Sequence, residues 1–479
     1  MTGAGRVPRL LLALACAAFG AGFTGLALIR HLAFWSGRFD LGNLTQAVWS
    51  TAHGHFLRMT DLDGVQISRL GAHFDPLVAA LAPLWLAWPD PTLLLVVQAA
   101  AVAAGAVPVY LLARRRLGGE WPALAFAAAY LLYAPTQWLV VDDFHPVALA
   151  TPLLLTGFWL LDADRPLGFA AVACIACLTK EHVGFVVAAM GVWYAVTRRR
   201  PVGLVIALGG AVVSSVAIAV IVPHFAPGGG SPFHSRYEAV GGSPGGVADT
   251  LFSHPGKVLA AATQGRDLEY VFHLLLPLAF LPLLGAGALL TALPEIAFNV
   301  LSDARTQTSI HFHYTASAIP GVVAGAIYGA ERLARRRAPA GPLAARGALA
   351  AALLATVAYG PIPWWSHVPG GQRVGASQYR ISARAHAAEA AVRLVPRGVP
   401  VSASNTIGAH LSGRERVFSF PVLREARWIV VDRFRMSYGD DNLAHRRGLR
   451  ALRRVLDTGR WRTVYARRGI LVLTRSPVD

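Results

Sequence analysis

The chain has 479 residues, of which 54% are hydrophobic and only 15% charged, too apolar for a water-soluble protein of this size. Its formal charge of +18 rests on 44 basic residues, and only Lys180 and Lys257 among them are lysines. That bias, with abundant Ala, Gly and Pro, reflects genome composition, so either lysine stands out. Cys16, Cys174 and Cys177 all lie in apolar runs, where a thiol is ordinarily a small buried hydrophobe. The C-x-x-C spacing is read as helix packing ahead of redox or metal chemistry.

The first apolar run, 10–30, follows Arg6 and Arg9 and is long enough for a full span, so it reads as an uncleaved signal anchor. The loop after it, 31–74, opens Phe39-Asp40-Leu41-Gly42-Asn43. Asp40 stands where a carboxylate can reach a reaction at the membrane surface. The plainer readings are a solvated acid or a cap for the helix expected over 43–49. The loop ends Arg69-Leu-Gly-Ala-His73-Phe-Asp75-Pro76. Segment 76–88 is laid along the surface, because a crossing there would put Arg114, Arg115 and Arg116 outside.

Ten further runs, near 91–113, 121–140, 146–161, 166–180, 182–197, 202–223, 269–283, 284–302, 311–331 and 343–361, make eleven spans in all. Every second junction carries arginines: Arg6/Arg9, Arg114 to Arg116, Arg165, Arg198 to Arg200, and Arg332/Arg335/Arg336/Arg337. Such residues stay in the cytoplasm, which puts the amino terminus inside and the C-terminal region outside. Up to residue 361 the inner segments then hold 14 Arg, 4 Asp/Glu and no His, against 9 Arg/Lys, 14 Asp/Glu and 12 His outside. The arginine count partly chose this topology, but the histidine split did not.

The outer junctions carry more ionisable groups than anchoring needs. Asp142-Asp143-Phe-His145-Pro146 interrupts two apolar runs, and such a set can bind a divalent cation or position a sugar hydroxyl. Thr179-Lys180-Glu181-His182 is wedged between two helices with almost no loop, and ionisable groups near membrane depth are functional by default. Lys180 and Glu181 read either as a plain ion pair or as a cation for a lipid-linked phosphate, held in place by its neighbour. Glu295 follows Pro294 late in the ninth span. The turn Asp303-Ala-Arg305 to His311-Phe-His313-Tyr314 suits a polar groove lining, with His311 and His313 spaced as a loop or strand ligand pair rather than one helical face. The long loop 225–268, with Pro227-Gly-Gly-Gly-Ser-Pro and Gly241-Gly-Ser-Pro-Gly-Gly, reads as a passive linker or a lid that orders on substrate binding.

Beyond Pro361 hydropathy falls, and strand signals at 399–402, 417–420, 428–431 and 464–473 alternate with helical ones at 379–395 and 442–457. The expected organisation is a mainly α polytopic bundle over 1–361 and an extracytoplasmic α/β domain over 362–479. The second part holds 21 Arg against 8 Asp/Glu, a basic surface for anionic lipid headgroups or a polyanionic envelope polymer. Nucleic acid fits the charge but not the side of the membrane.

Taken in order, Phe39-Asp40-Leu41-Gly42, Asp143-Phe144-His145-Pro146, Lys180-Glu181-His182, Pro294-Glu295, His311-Phe-His313-Tyr314 and Val401-Ser-Ala-Ser-Asn405 resemble a family of bacterial predicted membrane proteins that carry a domain of unknown function. That family is similar in layout to the GT-C glycosyltransferases. The resemblance implies a polyprenyl-phosphate sugar donor and an acid in the first outer loop as catalytic base, Asp40. It also implies a cation between two outer helix ends, Lys180, and a soluble outer domain. Leu41 stands after Asp40 where many members have a second acid.

The reading that follows is an inverting glycosyltransferase on the outer face of the bacterial plasma membrane. Asp40 is its base, and Lys180, Arg69 or Arg305 steady the departing phosphate. His73, Asp142, Asp143, His145, Glu181, His182, Glu295, His311, His313 and Tyr314 are expected to line the substrate site. The partners are membrane lipid, the polyprenyl-phosphate-linked sugar and an envelope glycan, lipid or protein as acceptor. A divalent cation is the one cofactor the residues suggest. The rival readings are a transporter or lipid flippase, disfavoured because no repeated halves are visible, and a non-catalytic envelope assembly protein.

Overall fold

The computed structural model describes residues 5–230, 234–362, 375–436 and 442–475. Part of the Pro227-to-Pro232 segment and the stretch just past the expected boundary at 361 lie outside them. The long helix α1 (Arg6–Leu32) leads through one π-helical turn, Arg38–Gly42, into α2 (Asn43–Ala52). Next come a small hairpin, β1 (Arg58–Thr60) with β2 (Gln66–Ser68), and a short helix, α3 (Ala82–Ala87). The hairpin has no apolar alternation to announce it. Segment 76–88 forms only short helices, a 3-10 stretch over Pro76–Leu81 and then α3.

The helical part continues with α4 (Thr92–Ala104), α5 (Ala106–Leu117), α6 (Glu120–Leu131), α7 (Ala134–Val141), α8 (Ala150–Asp162), α9 (Pro166–Cys177), α10 (Val183–Arg198) and α11 (Val202–Val216). After α12 (Val222–Phe225) the long loop is not bare linker. It forms α13 (Pro244–Ser253) and α14 (Pro255–Ala262), followed by α15 (Gly265–Leu275). Ser243 caps α13 and a Gln264/Asp267 capping box starts α15, side-chain signals that the glycines around them hid. The short pieces α16 (Leu281–Leu284), α17 (Ala286–Leu289) and α18 (Leu293–Val300) then lead to α19 (Ile319–Arg336) and α20 (Ala340–Tyr359).

Among the described residues four helices are long and apolar enough to cross a membrane: α1, the α4–α5 pair, the segment 202–225 and α20; the pair α6–α7, bent by 46°, makes a fifth. The others are shorter or broken. Leu10 and Leu14 on α1, Leu204, Val205 and Leu208 on α11, and Leu353 and Leu354 on α20 are exposed, as helices whose outer faces meet lipid require.

Close approach of α10 and α11 depends on glycine. A Cβ on Gly184 would lie 2.3 Å from the Gly210 carbonyl oxygen, and one on Gly191 2.6 Å from that of Gly203, so the two backbones touch as small-residue helix pairs do in lipid. This rigid pair holds the turn carrying Lys180, Glu181 and His182. At the opposite end the arginine junctions gather round buried Asp162, whose carboxylate meets Arg115 (2.8 Å), Arg198 (3.1 Å), Arg116 and the Tyr328 hydroxyl (2.9 Å).

The C-terminal part is a five-stranded mixed sheet in the order β4 (Val417–Ser419), β3 (Val401–Ala403), β5 (Trp428–Asp432), β7 (Ile470–Arg475), β6 (Trp461–Arg467). The single strand expected over 464–473 is instead the β6–β7 hairpin, because Arg468 and Gly469 take positive φ and turn the chain back. Helices α21 (Ala383–Leu394) and α22 (Asn405–Leu411) cover one face of this sheet through Ala388, Ala391, Ile407 and Leu411 with Val430 and Val472. On the other face α23 (Asn442–Asp457) packs Leu452 against Ile429, Val431 and Leu473. Strand residues alternating between the two clusters, 429 against 430 and 472 against 473, show the period of two that makes a doubly covered sheet.

Candidate active site

Asp40 sits within the π turn, a local distortion that often marks functional positions. It does not cap α2, which has no side-chain cap, so that plainer reading fails. The three residues before it are held from three directions. The Gly37 N–H donates to Asp143 Oδ2 (2.6 Å), and the Phe39 N–H donates to Asn405 Oδ1 at the start of α22 (3.2 Å). Buried Arg38 donates to the Ser419 hydroxyl (2.7 Å) and to the carbonyls of Thr60 (2.7 Å) and Val417 (2.6 Å). Asp143 is also held by Arg30 at 3.1 Å, yet burial outweighs that cation and pushes its carboxyl up to about 6.

The Asp40 side chain, 43% exposed at the mouth of the site, faces His145 Nε2 at 3.5 Å. Surrounding protein would raise its carboxyl, but the hydrogen bond to His145 and the charge of that ring hold it below the ordinary carboxylate value. His145 Nδ1–H donates to the Asp143 carbonyl (2.6 Å), so Nε2 is the nitrogen that turns to Asp40. Burial would lower His145, and Asp40 with Asp142 reverse that and raise it. His313 stacks on His145 with ring centroids 3.5 Å apart, and its backbone N–H donates to Asp142 (3.1 Å).

Ligand atoms of Asp142, His145 and His313 lie within 4.8 Å of one another. The set could hold a divalent cation, with Asp40 as a further oxygen.

Beside this cluster lies a second group. Glu181 does not pair with Lys180; it accepts from His73 Nδ1 (3.0 Å) and from the Phe74 N–H (3.1 Å). Burial alone would raise Glu181, and His73 with Lys180 bring it well below its normal value. Burial and then the Lys180 charge press His73 down to about 3, so it is a neutral donor. Arg69 makes a bidentate pair with buried Asp75 (3.0 and 2.7 Å), which commits this arginine to holding the loop. Lys180 is only 7% exposed, and among the described residues its ammonium makes no hydrogen bond and has no carboxylate within 4.0 Å. Its charge is felt by His73, His145 and His313, so it lies on the same side as the Asp40 cluster.

Deeper in, His182 Nε2 meets Glu295 Oε2 at 2.8 Å, and the Ser317 hydroxyl donates to the same carboxylate oxygen. Tyr314 accepts from Arg236 (3.2 Å). The structure thus brings together Asp40, Asp142, Asp143, His145, His313, His73, Lys180 and Glu181, with Arg69 behind them. Arg305 and His311 stand apart. They line a separate cavity of about 440 Å³ with Arg266 and His273, and His311 sets its ring edge-to-face with Trp138. His311 and His313 are therefore not a ligand pair, since an extended backbone sends alternate side chains to opposite sides. Sequence reading missed Arg30, Arg38 and Asn405. A lone arginine at the end of a span and an asparagine in a distant strand–helix turn carry no local signal of the contact they make.

The fold is similar to that of ArnT from Cupriavidus metallidurans bound to undecaprenyl phosphate, with a TM-score of 0.50 at 14% identity over 95% of this chain and 98% of that one. The apo form of the same protein gives 0.46 at 15% identity over 96% and 98%. At such identity the likeness speaks to the fold alone, an ArnT-like arrangement. No curated protein matches the sequence. Residues 30–472 match the family model described as "Predicted membrane protein (DUF2079)", and the chain belongs to that family.

Proposed function

We propose that this protein is an inverting glycosyltransferase that takes a sugar from a polyprenyl-phosphate donor and passes it to an envelope acceptor on the outer face of the plasma membrane. The observation that carries the reading is Lys180, a buried cation with no carboxylate within 4.0 Å of its ammonium among the described residues, on the side that carries the Asp40 cluster. Burying an ammonium is costly unless something negative meets it, and the phosphate of a lipid-linked donor at headgroup depth supplies that charge. In the reaction Asp40 takes the proton of the acceptor hydroxyl, whose oxygen forms the new bond to the anomeric carbon. The bond from that carbon to the phosphate oxygen breaks with its electron pair, leaving polyprenyl phosphate against Lys180. His145 orients Asp40 and keeps it ionised, ready to accept. Eleven crossings, an inner amino terminus and an outer sheet domain beginning near residue 362 complete the proposal.

The direct test is binding of labelled undecaprenyl phosphate to the purified protein and to Lys180→Gln. Loss of one charge-assisted contact should weaken binding by roughly 10- to 100-fold, with Lys180→Arg intermediate. Equal affinity in wild type and Lys180→Gln would remove the basis of the assignment.

A further inference from the structure

One strongly basic surface of the C-terminal part contains none of the site residues. On α23, Arg446, Arg447, Arg450, Arg453 and Arg454 are all exposed. Their spacing of one, four, seven and eight residues puts them along a single face about two turns long. Among the described residues none of the five makes a hydrogen bond or ion pair, and Asp457 is the one acid of the helix. Like charges one turn apart repel and weaken a helix, so an uncompensated row of five is a feature whose charge has its partner elsewhere. Exposed Arg460, Arg462, Arg467, Arg468 and Arg475 of the adjoining hairpin extend the same sign.

The architecture says which partner. The apolar face of α23 is spent on the sheet, through Leu452 with Leu449 and Val455, and among its described residues Leu456 is the one exposed large apolar side chain, too little to insert into lipid. The sheet face that meets the transmembrane part is the other one, where Phe34 from the end of α1 joins the core of α21 and α22. The arginine row therefore looks away from the membrane-embedded helices. We infer that this face of α23 binds a soluble linear polyanion, a polymer carrying phosphate or carboxylate groups at repeat spacing, and holds it over the protein. This surface is independent of Asp40 and of any transfer reaction.

The experiment uses the full chain in zwitterionic-lipid nanodiscs with inorganic polyphosphate and polygalacturonate as probes, compared with Arg450→Glu/Arg453→Glu/Arg454→Glu. The same threefold charge change at exposed Arg58, Arg393 and Arg397 is the control. Either polymer should bind the wild type with strong salt dependence. The α23 variant should lose at least about 100-fold in affinity and flatten the salt slope by about two units, by the proportion known for single strands, while the control stays within about threefold. Thermal melting shows that the variants are folded. Three results overturn the proposal: neither polymer binding, the control losing as much as the α23 variant, or the α23 arginines mattering only for phosphatidylglycerol liposomes.

Discussion

His73 shows how a nearby cation sets the protonation state of a residue that does not pair with it. It stays neutral because burial and Lys180 oppose its protonation, and it gives its one N–H to Glu181. Its value of about 3 in the fold lies below the ordinary 6.5. The unfolded chain therefore takes up the proton first, and the stability it contributes is complete above that ordinary value and is lost as pH falls through the window between the two. The melting temperature of the solubilised protein should fall across this window, and His73→Gln should flatten the fall; identical pH profiles would contradict the neutral-donor role. Histidine and acid at outer junctions were legible from the sequence as a group, because the topology concentrates them. Their pairings were not. Adjacent Lys180 and Glu181 look like an ion pair on paper, whereas the turn between α9 and α10 sends the carboxylate to His73 across the loop.

At the scale of elements, the π turn and α22 form one unit. A Cβ on Gly408 of α22 would lie 2.9 Å from the Arg38 side chain, and one on Gly42 2.6 Å from the Ser412 hydroxyl, so the sheet domain is pressed directly behind the Asp40 backbone. Asn405→Ala removes the acceptor of the Phe39 N–H. The expectation is a drop in kcat of about 10- to 100-fold from displacement of the proposed base, with KM for the donor nearly unchanged; a rise in KM at constant kcat would assign Asn405 to binding instead. Helices announced themselves through long apolar runs, and α23 through its period. The β1–β2 hairpin, three residues a side, has too few positions for alternation to register, and α13 and α14 were concealed by the glycine-rich flanks that suggested a linker.

Across the whole molecule, two ends differ in chemistry. One gathers Arg115, Arg116 and Arg198 on Asp162; the other gathers Asp40, His145, His313 and Lys180. That polarity supports the proposed sidedness, with the arginine end in the cytoplasm. A single cysteine at exposed Arg397 should react with an impermeant maleimide in intact cells and one at exposed Arg337 should not; the reverse pattern would invert the topology. What hydropathy could not show was which loops meet in space, since Asp40 and Asn405 are 365 positions apart in the chain and are joined only by folding. The most direct test of the account is transfer of labelled sugar from a polyprenyl-phosphate donor to envelope acceptors by membranes containing wild type or Asp40→Asn at matched levels of folded protein. The account predicts labelled product from the wild type and a rate lower by at least about 100-fold in the variant, with donor binding retained, whereas equal rates in the two would contradict it.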